Sequence, residues 1–156
     1  MSTIHLIRHA KAKNRAEWSE PDEARPLTKR GRREALALAE RLADEHPGRL
    51  VSSPYVRCVQ TLEPLALTVD VSIETTELLA EGTRGQAAVT LLLSLAGDRP
   101  IACCTHGDVV HEVVATLADA GVVLDGLREA PVASTWVLNV EASRISGARF
   151  VEPPPR

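Results

Sequence analysis

Basic charge, paired cysteines and long apolar runs are all scarce in this chain. The 18 lysines and arginines are outnumbered by 21 aspartates and glutamates, leaving a formal net charge of −3. A general nucleic-acid binder carries a strongly basic stripe, so no nucleic-acid partner is expected and any anion site has to be local. The 3 cysteines, Cys58, Cys103 and Cys104, make an odd count and lack the spacing of a zinc site or a redox motif. They read as small core residues of a protein held in a reducing, cytoplasmic setting. The apolar stretches are much shorter than the ~20 residues needed to span a bilayer, and the N-terminus lacks the build of a secretory signal, so no membrane partner is expected. No internal repeat is found. With 156 residues the chain reads as one domain over 1–152, followed by a proline-rich tail over 153–156. Such a length buries about 68–70% of the surface that the unfolded chain exposes.

What is present is an alternation of strands and helices. Thr3 to Ile7 forms a first apolar strand. A polar stretch from Ala10 to Leu27 has no sustained period, and loops of this length in compact domains are often functional. Thr28 is placed to cap a helix carrying Ala35, Leu38, Ala39, Leu42 and Ala43, which His46-Pro47-Gly48 ends. A strand over 49–52 follows. Ser53-Pro54 then reads as N-cap and first residue of a helix burying Cys58, Leu62 and Leu65, with Pro64 expected to kink or shorten it. A short strand is expected over 69–74, helices over 85–96 and 108–120, a buried strand over 100–104, and a closing strand pair over 133–140 and 144–151. The rhythm predicts an α/β fold of three layers, helices on both faces of a mainly parallel central sheet.

Three strand-to-helix junctions share one chemistry. Arg8-His9 follows the first strand, Ser53-Pro54-Tyr55-Val56-Arg57 the second, and Thr105-His106-Gly107-Asp108 the strand that starts at Pro100. In a parallel sheet these ends point the same way, and ligands bind in the crevice outside them. Two arginines, two histidines and the free N–H groups of helix N-termini together suit a phosphoryl group.

In these residues the chain resembles the histidine phosphatase superfamily, whose members share a phosphoglycerate mutase-like fold. Arg8-His9-Ala10 stands where the family usually has Arg-His-Gly. Arg25-Pro26-Leu27-Thr28-x-x-Gly31 is similar to its first helix entry, Ser53-Pro54-x-x-Arg57-x-x-Gln60-Thr61 to its second arginine motif, and Thr105-His106-Gly107-Asp108 to its second histidine motif. The Arg8-to-Ala12 segment and the short length look most like the small SixA-type phosphohistidine phosphatases. The resemblance implies that His9 is the nucleophile and becomes phosphorylated, and that Arg8, Arg57 and His106 hold the phosphoryl oxygens. It puts the family's acidic residue about at Glu81, with Glu77 the competing proton donor.

The expected partner is a phosphorylated small molecule or a phosphohistidine protein. No cofactor is assigned. His106 and His111 are five apart, off the spacing of helical zinc motifs, and with Asp108 they are read as no metal site. Lys11, Lys13, Arg15 and Arg25 are either a solvated loop or attractors of a polyanionic substrate. A mutase and a phospho-ligand binding module are the alternative functions, and oligomeric state is not legible.

Overall fold

The computed structural model describes residues 2–155; Met1 and Arg156, the outer residues of the expected domain and tail, lie outside the described residues. Strand β1 (Ser2–Arg8) is followed by α1 (Lys29–Ala43), β2 (Arg49–Ser52), α2 (Val56–Val69), β3 (Ile73–Thr75) and α3 (Gly85–Leu95). Then come β4 (Ile101–Thr105), α4 (Gly107–Asp119), β5 (Val123–Asp125), β6 (Thr135–Glu141) and β7 (Arg144–Val151). All the strands join one sheet in the order β3-β2-β4-β1-β6-β7-β5. The β1–β4, β2–β4, β2–β3 and β5–β7 pairs are parallel, whereas β6 runs antiparallel to both β1 and β7.

Alternation along the strands divides the core between the two faces. Ile7, Leu50, Ala102 and Cys104 pack with Leu38 and Leu42 of α1 and with Cys58, Leu62 and Leu65 of α2. Ile4, Leu6, Cys103, Trp136 and Leu138 pack on the opposite side with Ala88 and Leu92 of α3 and Val110, Val113 and Leu117 of α4. The result is the expected three-layer α/β/α arrangement. β4 is buried along its whole length, as a strand covered on both faces must be. Trp136 is fully buried, and its indole Nε1 donates to the carbonyl of Glu129 at 2.9 Å, so the apolar ring goes inside without orphaning its N–H.

Several local expectations hold. Thr28 caps α1, its hydroxyl accepting from the Gly31 N–H at 3.0 Å. Gly31 is required by close approach, because a Cβ there would clash with the carbonyl oxygen of Lys11. Others are corrected. The N-cap of α2 is Tyr55, not Ser53, whose hydroxyl is turned toward His106 instead. The helix also runs through Pro64 to Val69, so the expected strand from 69 shrinks to β3. The parallel edge strand β5 was not expected at all.

The sheet order has one consequence for chemistry. β2, β4 and β1 lie side by side and parallel, with Arg8 opposite Thr105 and Ser52 opposite Cys104. Their carboxyl ends therefore open onto one place.

Candidate active site

His9 continues β1 by one residue, its N–H donating to the carbonyl of Thr105 at 3.0 Å. Its side chain is only 7% exposed. Nδ1 lies 2.8 Å from the carbonyl of Ala10; a carbonyl only accepts, so Nδ1 carries the proton and Nε2 keeps a lone pair. Burial pushes the imidazole pKa down to about 3, with Arg57, His106 and Arg8 acting in the same direction against the Ala10 hydrogen bond. Desolvation, rather than the neighbouring cations, is the largest cause.

Arg8 fixes its guanidinium by donating from Nη1 to the carbonyl of Ala130 at 2.7 Å, while its Nε is buried without a partner among the described residues. Gly107 makes room for it, since a Cβ there would stand 2.9 Å from Arg8 Cζ. Arg57, in the first turn of α2, is fully buried. Its Nη1 donates to the carbonyl of Asp22 at 2.9 Å, and Nη2 reaches Asp22 Oδ2 at 3.0 Å and Glu81 Oε1 at 2.8 Å. Arg57 Nε is also buried, with no partner among the described residues.

His106 sits between β4 and α4, 1% exposed. Its Nε2 is 2.8 Å from Ser53 Oγ, and its Nδ1 is 3.6 Å from Glu81 Oε1. The His9 and His106 rings meet edge to face at 5.5 Å, and Tyr55 packs on His106 at 4.6 Å and under the Arg57 guanidinium at 4.9 Å.

An open cavity of about 540 Å³ lies over these strand ends, lined by Arg8, His9, Glu81, Gly107 and the loop residues Lys11, Lys13, Arg15 and Arg25. The structure thus brings together Arg8, His9, Arg57, Glu81 and His106, with Arg57 and His106 buried behind the cavity wall. Glu77 is exposed and does not line the cavity, unlike Glu81. Arg25 is not a solvated loop residue. It is 7% exposed, donating from Nε to Asp22 Oδ1 at 2.9 Å and from Nη1 to the carbonyl of Lys13 at 2.6 Å.

Two members escaped the sequence reading. Asp22 gathers Arg57, Arg25 and Arg15, with an Nε–Oδ1 separation of 3.6 Å for the last. Against the upward push of partial burial, Arg25 and Arg57 hold its carboxyl below the usual range. The Asp22-x-x-Arg25 spacing in the loop was its one signal. Tyr55 was quoted inside a motif, but nothing in the sequence marked it as packing on His106.

Residues 4–88 match the sequence profile of the histidine phosphatase superfamily (branch 1). The chain belongs to that family. A relative, the 8-oxo-(d)GTP phosphatase of Mycolicibacterium smegmatis (strain ATCC 700084 / mc(2)155), is 34% identical over 97% of this chain. The match spans 48% of that protein, so the chain covers about half the relative's length. Among solved structures, the protein histidine phosphatase SixA complexed with tungstate superposes with a TM-score of 0.74 at 21% identity, covering 96% of this chain and 94% of that one. A phosphoserine phosphatase from Entamoeba histolytica, in complex with 3-phosphoglyceric acid, superposes with a TM-score of 0.72 at 15% identity, covering 100% and 98%. At such identities the two structures speak for the shared fold. Family membership places the chain among the histidine phosphatases.

Proposed function

We propose that this histidine phosphatase removes the phosphoryl group from a phosphorylated substrate through a covalent phospho-His9 intermediate. The observation that carries the reading is the state of His9. A buried imidazole whose Nδ1–H is held by Ala10 presents a neutral Nε2 beside a cavity walled by Arg8. In the proposed first step the Nε2 lone pair attacks phosphorus. The P–O or P–N bond of the substrate breaks, and its electron pair leaves with the departing group, which takes a proton from Glu81. Water, giving one proton back to Glu81, then attacks the phospho-His9 and frees phosphate with the imidazole restored.

Arg8, Arg57 and His106 are assigned to the phosphoryl oxygens. Phosphoryl transfer depends mainly on positioning and charge stabilisation, which two fixed guanidiniums and an imidazole supply without a metal in this scheme. The buried, unpartnered Nε atoms of Arg8 and Arg57 support an anion there. Glu81 Oε1 lies near both Arg57 Nη2 and His106 Nδ1, so the proposed donor stands beside two of the oxygen-binding groups.

For the substrate, the proposal keeps a phosphohistidine protein or a small phosphomonoester. Lys11, Lys13 and Arg15 on the cavity wall favour a substrate with more than one negative charge, and the relative's name adds nucleotides to the small-molecule class. A cytoplasmic setting belongs to the same proposal, supported by three buried free cysteines. Phosphate release measured over phosphohistidine protein, sugar phosphates and nucleotides tests it. Turnover of at least one substrate class is expected, falling at least about 10⁴-fold in His9→Ala; near-wild-type turnover by that variant contradicts the assignment.

A further inference from the structure

Away from the strand ends, a second cleft of about 230 Å³ opens between the last turn of α1 and the β1–β6–β7 part of the sheet. The register explains what faces it. His5 lies opposite Val137, which lies opposite Arg149; in the next row Ile7 lies opposite Thr135, which lies opposite Val151. Ile7 belongs to the core beneath α1 and α2, so side chains of these rows project toward α1. Arg41 and Leu42 of α1, with Glu45 just beyond it, complete the lining.

Two polar groups in this cleft are left unsatisfied. His5 is 6% exposed and Thr135 2%, and neither His5 Nε2 nor Thr135 Oγ1 has a hydrogen-bond partner among the described residues. Burying such atoms unpaired costs stability, and most native proteins avoid it. The charges around them are unequal: the guanidiniums of Arg41 and Arg149 against the single carboxylate of Glu45. Arg41 is held in place because its Nη1 donates to the carbonyl of Glu152 at 2.9 Å. The cleft is several times the ~30 Å³ share of one water. A cation there would face two guanidiniums, and a neutral ligand would leave both unused.

We infer that this cleft is a second anion-binding site, suited to a small oxyanion such as phosphate or a carboxylate, with His5 and Thr135 hydrogen-bonding the ligand and Arg41 and Arg149 supplying the charge. The site shares no lining residue with the cavity at His9, so the inference stands apart from the proposed reaction. Titrating inorganic phosphate, and separately acetate, into the labelled full chain while following the His5 imidazole by NMR tests it. A saturable His5 shift is expected with one or both probes up to about 50 mM, enough for a millimolar Kd, and the responding probe names the oxyanion. Arg149→Ala, a change at an exposed position, should weaken that binding about tenfold or more with the rest of the spectrum unchanged. His9→Ala should keep the His5 response. Absence of a saturable shift with both probes, or unaltered affinity in Arg149→Ala, overturns the inference and leaves the cleft to water.

Discussion

The two halves of the sheet use the same kind of strand for different ends. In the parallel half, β2, β4 and β1 deliver Ser53, His106 and Arg8-His9 to one edge, because adjacent parallel strands finish together. In the antiparallel half, β6 and β7 run in opposite directions, so their ends lie on opposite edges and no residue assigned to the proposed reaction comes from them. On the face toward α3 and α4 their yield is packing: Trp136, Leu138, Ile145 and Ala148 close the core there. Chemistry therefore collects where topology aligns strand ends, and stability can be drawn from elsewhere. The halves also meet at the site, where Ala130 steadies the Arg8 guanidinium and Ala133 and Ser134 bond the Arg8 backbone, all ahead of β6.

Substitutions on either side should separate the halves. Trp136→Ala removes a fully buried indole and is expected to cost about 3–5 kcal/mol in denaturant unfolding, with turnover per folded molecule nearly kept. Arg57→Ala should lower kcat/KM by about 10²–10³-fold, as loss of a preorganised donor does. Its stability should change less, because the substitution also relieves an unpartnered buried Nε. If Trp136→Ala lost activity ahead of stability, the division between halves would fail. A Glu81→Gln enzyme is expected to lose about 10²-fold on an alkoxide leaving group and less on an imidazole leaving group, which needs the proton less. Equal losses on both would remove Glu81 as acid.

A further effect appears in acid. The folded-state pKa of His9, about 3, lies below its ordinary 6.5, so between those values the unfolded chain binds more protons than the folded one. Stability should then fall as pH drops through that window, by up to about 1.4 kcal/mol per pH unit from this group. His9→Asn should flatten that slope. Catalysis should show no acid limb from His9 itself above about pH 4.

Much of the fold was legible because burial leaves a periodic trace. The β1, β2 and β4 runs and the stripes of α1 and α4 each present apolar residues at the spacing their structure requires. β5 left no such trace: it has three residues, two of them exposed. Ser53-Pro54 misled because a serine before a proline fits a helix start locally, whereas the hydroxyl is claimed by His106, 53 residues away. Arg8, His9, Arg57 and His106 were picked out as candidates because each ends a strand or begins a helix. Asp22 was not, since its importance comes from three arginines that meet only in the folded chain.

The central claim is that His9 takes the phosphoryl group. Rapid acid-free quenching during turnover of a ³²P-labelled substrate, followed by peptide mapping, tests it most directly. The account predicts an acid-labile, base-stable label on the peptide carrying His9, absent in His9→Ala. Label on any other residue, or steady turnover by His9→Ala with no phosphoenzyme formed, would contradict it.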